Sequence, residues 1–254
     1  MIFNYYPGCT LKNKAAELDM YARKCAEVLG FELKELDAWQ CCGAVYPLGA
    51  NVHAQKLPSV RALKASHNAP LVTLCSACHH VLKRVNADAQ SNKDFSHAIA
   101  QYDEELAYSG KTGVLHYLEV LKNHIGFDEL TKKVSKPLEG KKIGAYYGCM
   151  LLRPSSVMAF DDPEKPTLIE DFISALGGTP VNYPLRAECC GGYISISCSN
   201  KSEEMSRKIN DDASRLGTDF LITACPLCAY NMKKHGELPV YYFTEILAEA
   251  LGVK

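Results

Sequence analysis

Cys189-Cys190-Gly191-Gly192 decides the reading of this chain. A lone cysteine, Cys149, precedes this adjacent pair with 39 residues between. A Cys-x-x-Cys turn, Cys225-Pro226-Leu227-Cys228, follows after 34 more. The same arrangement occurs earlier as Cys9, Cys41-Cys42-Gly43 and Cys75-Ser76-Ala77-Cys78, at gaps of 31 and 32 residues. Ten of the twelve cysteines thus fall into two copies of one five-thiol pattern.

Flanking sequence repeats with the thiols, as an internal duplication requires. Ala145-Tyr146-Tyr147-Gly148-Cys149 answers Asn4-Tyr5-Tyr6-Pro7-Gly8-Cys9. Residues 218–224 answer 69–74, each an apolar run leading into Cys-x-x-Cys, and residues 240–247 answer 114–121. Ile169 to Leu176 with Gly177-Gly178 answers the first helix and its Gly30. The second copy carries several extra residues after its lone cysteine, around Asp161 to Lys165.

Within the first copy, Ile2 to Tyr6 is an aromatic and β-branched run that predicts a strand ending at Pro7-Gly8. Leu18, Tyr21, Ala22, Cys25, Val28 and Leu29 recur at helical spacing over about 13–29, with Gly30 as the C-cap. Cys25 lies on that apolar stripe and reads as a core cysteine. Residues 31–36 predict a second strand. A helix over about 53–66 follows, with Pro58 as a kink or restart. Residues 70–74 predict a third strand, and a helix over about 79–86 starts inside the Cys-x-x-Cys turn. Residues 88–111 read as a polar insertion and 114–125 as a helix. Residues 126–141, punctuated by Pro137 and Gly140, read as the bridge between halves. Alternating strands and helices imply a parallel α/β unit, with cysteines at the C-terminal strand ends. The expected architecture is α/β with two homologous Rossmann-like halves, 1–137 and 138–254, and sites facing their interface.

Composition narrows the function. A chain of 254 residues with 47% hydrophobic content can bury a substantial core. Its 28 basic and 29 acidic residues nearly cancel, with no basic block, which argues against nucleic-acid binding. The N-terminus has no basic, then apolar, signal-peptide pattern, and no run reaches the length of a membrane span. The expected setting is soluble and cytoplasmic, where thiols stay reduced, so metal or redox chemistry explains twelve cysteines better than a disulfide framework.

A structural zinc site takes four tetrahedral ligands, commonly from two Cys-x-x-Cys pairs, and each half has only one such pair. Adjacent residues on extended backbone point in opposite directions, so Cys41 and Cys42 reach one small ion only through a contorted turn. A multi-iron cluster removes that difficulty, because adjacent thiolates can bind different irons. A cubane takes four cysteines, so five imply either a fifth reactive thiol or a cluster of unusual shape. Zinc in one half stays as the alternative. Gly43, Gly191 and Gly192 suit close backbone approach to a cluster as well as an ordinary turn.

The doubled Cys-x(n)-Cys-Cys-Gly-x(n)-Cys-x-x-Cys pattern resembles the cysteine-rich CCG domains of the heterodisulfide reductase B subunit, along essentially the whole chain. Tyr-Tyr-Pro-Gly-Cys, Cys-Ser-Ala-Cys-His and Cys-Pro-Leu-Cys fit as well. The resemblance implies two non-cubane [4Fe-4S] clusters. Cys9, Cys41, Cys42, Cys75 and Cys78 would hold one, and Cys149, Cys189, Cys190, Cys225 and Cys228 the other. It also implies cleavage of a small disulfide between the clusters to give two thiols. The implied partners are an iron–sulfur C subunit and a flavin-containing A subunit, with hydrogenase or dehydrogenase modules as further candidates. In methanogenesis the substrate of such complexes is the mixed disulfide of coenzyme M and coenzyme B. An electron-relay subunit without its own disulfide is the alternative.

His53, His79 and His80 lie near thiols in sequence and are candidate proton donors, though a surface or packing role accounts for each. Lys12 and Arg153 follow Cys9 and Cys149 and are candidate clamps for an anionic substrate group, with a solvated face as the simpler reading. Cys198 reads as structural.

Overall fold

The computed structural model describes residues 1–44 and 51–254. In chain order the first half contains β1 (Ile2–Tyr6), α1 (Gly8–Lys12), α2 (Ala16–Leu29), β2 (Glu32–Glu35), α3 (Val52–Ala65), β3 (Leu71–Thr73), α4 (Ser76–Ser91), α5 (Lys93–Tyr102), β4 (Val114–His116) and α6 (Tyr117–Val120). A π-type turn, Leu121–Ile125, extends α6, and α7 (Phe127–Lys133) leads towards the second half. That half contains β5 (Lys142–Tyr146), α8 (Ser155–Met158), α9 (Leu168–Ala175), β6 (Thr179–Val181), α10 (Ser199–Arg215), β7 (Phe220–Thr223), α11 (Pro226–His235), β8 (Val240–Tyr242) and α12 (Phe243–Ala250).

Each half builds a four-stranded, all-parallel sheet, with strand orders β2-β1-β3-β4 and β6-β5-β7-β8. Parallel neighbours need crossover connections, which the helices supply. Register carries the duplication down to single residues. Tyr6 pairs with Thr73 and Thr73 with His116, while Tyr146 pairs with Thr223 and Thr223 with Tyr242. These rows end each sheet, and the chain leaves them into Gly8-Cys9, Leu74-Cys75, Gly148-Cys149 and Ala224-Cys225. Parallel pairing therefore brings thiols far apart in sequence to one edge.

Two expectations need correction. Residues 114–116 are strand rather than helix: Val114 pairs with Leu71, and the helix begins only where Glu119 accepts from the His116 backbone N–H in a capping box. Helical spacing of the apolar residues continues straight through this boundary, which hid it. Residues 88–111 are largely helical, since α4 runs to Ser91 and α5 follows, packing Phe95 and Ile99 inward. Pro58 sits inside α3 without ending it. Gly30 adopts the left-handed C-cap expected of it.

The main hydrophobic core draws on both halves, from Tyr5, Leu63 and Tyr117 to Phe172, Phe243 and Leu247. Helix α2 packs on α12, where the Thr244 hydroxyl donates to the Leu18 carbonyl (3.0 Å). The bridge is pinned to the second half by Leu138 N–H to Leu176 O and Ser135 N–H to Ala250 O, both 2.9 Å. Among the described residues no helix is long and apolar enough to cross a membrane.

Candidate metal centre

The ten repeat cysteines gather at the sheet edges where the halves meet, and all are free thiols. In the first half Cys9 Sγ lies 3.4 Å from Cys41 Sγ, and Cys42 Sγ lies 3.4 Å from Cys78 Sγ. In the second half Cys190 Sγ lies 3.3 Å from Cys228 Sγ, and the Cys149 and Cys189 thiols share a hydrogen bond. Across the interface the Cys75 and Cys225 thiols perturb each other's ionisation, and the neighbouring Ser76 donates from its N–H (3.1 Å) and hydroxyl (2.8 Å) to the Ala224 carbonyl. The two sets therefore abut through one thiol from each Cys-x-x-Cys. Cys42, Cys75, Cys78, Cys190, Cys225 and Cys228 are buried, whereas Cys9 and Cys41 are exposed and Cys149 and Cys189 half-buried.

Backbone placement of the thiols uses the same devices twice. The Tyr6 hydroxyl donates to the Gln40 carbonyl, just before Cys41, and the Tyr146 hydroxyl to the Glu188 carbonyl, just before Cys189 (2.8 Å). Ser59 Oγ donates to the Cys42 carbonyl (3.3 Å), and Ser206 Oγ to the Cys190 carbonyl (2.9 Å). Asn231 Nδ2 adds a second donor to Cys190 at 2.6 Å. Gly8 has φ +76°, and a Cβ there would lie 2.7 Å from Cys78 Sγ, so close approach to a thiol, as well as backbone freedom, demands glycine.

Thiol pairs split in ionisation: Cys42 and Cys189 ionise more easily, while their partners Cys41, Cys78 and Cys149 are held protonated. Hydrogen bonds from Cys41 and then Cys78 hold Cys42 well below the usual thiol range, and one from Cys149 holds Cys189 down at about 6. Cys25, alone in the core, is pushed up to about 12 by burial. Thiolate is the form that binds metal. Among the described residues no three His, Cys, Asp or Glu side chains are grouped as they would be around a single ion. Five thiols per half, arranged as pairs beside a glycine cradle, fit a group that offers several metal atoms.

The other sequence candidates are dispersed. His53 is exposed and its ring tilts against Phe95. His79 is fully buried, and among the described residues neither ring nitrogen has a hydrogen-bond partner; it lies 3.5 Å from Glu119, and burial holds its pKa well below the ordinary value. His80 Nδ1 meets the Met150 carbonyl at 3.1 Å. Lys12 pairs with Glu35 at 3.0 Å, and Arg153 donates to the Ala187 carbonyl at 3.1 Å, so both cations already have partners within the chain. Cys198 is exposed at the start of α10.

Cysteine spacing gave no hint of Tyr193. Its hydroxyl donates to the Ala44 carbonyl (2.7 Å) and lies 3.3 Å from Met150 Sδ, joining the loops that follow both adjacent pairs. Burial, then the Cys225, Cys149, Cys42 and Cys75 thiols, raises its pKa, so its ring neighbours both sets. Tyr242 lies beneath them, fully buried, with its hydroxyl on the Leu74 carbonyl (2.5 Å). His116, its counterpart in the other sheet, meets the same carbonyl at 2.7 Å. The only sequence signal for either was the repeat.

A duplicated parallel α/β fold with two abutting thiol sets defines a redox protein of iron–sulfur chemistry. The CCG cysteine-rich domain family matches residues 3–83 and 143–233. The chain belongs to that family and is homologous to the B subunits of heterodisulfide reductases. It is 30% identical to the 8-methylmenaquinol:fumarate reductase membrane anchor subunit of Wolinella succinogenes, over 99% of this chain and 92% of that protein. It is 24% identical to the B subunit of the ferredoxin:CoB-CoM heterodisulfide reductase of Methanosarcina mazei, over 96% and 87% of the two chains. A hypothetical protein from Helicobacter pylori shares the fold, with a TM-score of 0.72 at 11% identity. That match covers all of this chain, which spans about half (49%) of the solved one.

Proposed function

We propose that this chain is the disulfide-cleaving subunit of a heterodisulfide reductase-type complex, working with an iron–sulfur and a flavin subunit that deliver electrons. The observation that carries the reading is the junction of the two Cys-x-x-Cys turns, where Ser76 donates twice to the Ala224 carbonyl and Cys75 neighbours Cys225, so that two five-thiol sets abut across the interface. Cleaving a disulfide takes two electrons and two protons and yields two thiols. When bound, two non-cubane [4Fe-4S] clusters would supply those electrons singly and an iron for each thiolate sulfur.

The chain's own residues prepare that site. Cys9, Cys41, Cys42, Cys75 and Cys78 hold one cluster, and Cys149, Cys189, Cys190, Cys225 and Cys228 the other. Ser59, Ser206 and Asn231 fix the adjacent-pair turns by binding their carbonyls. Tyr242 and the fully buried aromatic residues below exclude water from the inner thiols. The exposed Cys9–Cys41 edge leaves the first set open to an incoming small molecule.

Iron, zinc and acid-labile sulfide on anaerobically purified protein test the reading, with about eight irons per chain and negligible zinc expected for two four-iron clusters. Cys42→Ser and Cys190→Ser should each abolish disulfide reduction. Substantial turnover in either would sink the two-cluster mechanism. About four irons with one zinc would leave one half as scaffold.

The 30% identity to a subunit of a quinol:fumarate reductase favours a second reading, an electron relay without its own disulfide. Reduced clusters that small disulfides fail to reoxidise, in a complex that still passes electrons to another acceptor, would select it.

A further inference from the structure

The two halves differ in what covers the helix that follows each Cys-x-x-Cys. In the second half the stretch after Cys149 is longer and folds across α4 of the first. The Met150 carbonyl meets His80, Lys83 Nζ donates to the Met158 carbonyl, and Phe160 sinks in until 6% exposed. Its ring lies 6.2 Å from that of His79 and 5.7 Å from that of His116. Helix α8 thereby packs along α4.

Strand register and the Cys-x-x-Cys turns identify the same surface on the other side. His116 corresponds to Tyr242, and Cys78 to Cys228, so His79, His80 and Lys83 correspond to Ala229, Tyr230 and Lys233. There the stretch after Cys9 is short and turns at once from α1 into α2. What remains among the described residues is a groove of about 740 Å³, with Ala229 and Tyr242 in its lining and Lys14, Leu18, Tyr230 and Lys233 around it. Tyr230 is 66% exposed beside it.

We infer that this groove is the docking site for a short segment of a partner subunit's polypeptide, which covers α11 as residues 150–160 cover α4. The chain supplies the template. In the filled copy an aromatic side chain enters beside positions equivalent to Ala229 and Tyr242, and a main-chain carbonyl meets the lysine equivalent to Lys233. The segment's chemistry follows, namely one aromatic or large aliphatic side chain for the floor and a main-chain carbonyl for Lys233. Its main-chain polar groups suit a rim that carries Lys14, Glu17 and Lys233, whose Nζ lies 3.8 Å from Glu245 Oε2 and keeps donors to spare for a carbonyl. The Thr10 and Pro226 walls adjoin Cys9 and Cys225, so the docked segment lies beside both thiol sets. This inference does not depend on disulfide cleavage; a relay subunit would need the same contact.

The test places a photo-cross-linking amino acid at position 230 of the full chain, within its native complex, and maps the adducts by mass spectrometry. One contiguous stretch of a co-purifying subunit, carrying an aromatic or large aliphatic residue, is expected. A synthetic peptide copying that stretch should bind the iron-loaded chain and lose at least tenfold affinity to Lys233→Glu and to Tyr230→Ala. Both side chains are largely solvent-exposed, so iron content should stay at the wild-type value. Adducts only to a second copy of this chain would overturn the inference. So would quenching by a small disulfide without any polypeptide adduct, no adduct at all, or peptide affinity indifferent to both variants.

Discussion

Replacing Gly8 by alanine isolates the close approach of backbone to thiol, because Gly30 provides a matched control. Both residues hold left-handed backbone, φ +76° and +81°, so alanine pays the same conformational cost of about 1 kcal/mol at each. Around Gly30 a new Cβ meets nothing within 4 Å among the described residues. At Gly8 it would lie 2.7 Å from Cys78 Sγ, well inside ordinary contact distance. Relieving such an overlap in a packed site costs roughly another 1–3 kcal/mol or displaces the thiol. At a few degrees per kcal/mol, Gly30→Ala should lower Tm by roughly 2–4 °C, and Gly8→Ala by about twice that or more. Iron content separates the two more sharply. Gly30→Ala should retain all of its iron, whereas Gly8→Ala should lose that of the first site and keep that of the second. Anaerobic iron and labile-sulfide analysis alongside thermal unfolding reads both effects. Gly8→Ala protein with full iron and the Tm of Gly30→Ala would refute the steric argument.

Two further predictions concern groups that spacing alone did not reveal. Asn231→Ala removes a buried donor to the Cys190 carbonyl and the partner of Ser202 and Ser206. A loss of about 2–3 kcal/mol by chemical denaturation is expected, with iron lost from the second site only. Burial holds His116 at about 4, against 6.5 for a free imidazole, so the unfolded chain takes up its proton more readily. Its contribution is intact above pH 6.5 and falls away as pH drops towards 4, by up to about 3 kcal/mol. His116→Gln should flatten that part of the stability–pH curve, and an unchanged acid slope would count against a buried neutral imidazole.

The spacing of ten cysteines was enough to specify the duplication, the two five-thiol sets and the kind of group they suit, because a thiol's chemistry belongs to its residue type and its periodicity to the chain. Alternating apolar runs likewise carried the parallel α/β architecture. The limits of that legibility have physical causes. At 114–116 an apolar pattern continuous with the next helix conceals a strand that only pairing with β3 defines. Lys12 and Arg153 looked available as clamps until Glu35 and the Ala187 carbonyl were brought beside them. Tyr193 joins the two halves through a carbonyl 149 residues away, a relation that no local pattern encodes. The meeting of Cys75 with Cys225, and the covering of one Cys-x-x-Cys helix but not its twin, arise from how the two similar halves pack together. Sequence repetition implies that the halves resemble each other; only their packing decides which thiols touch and which surface stays open.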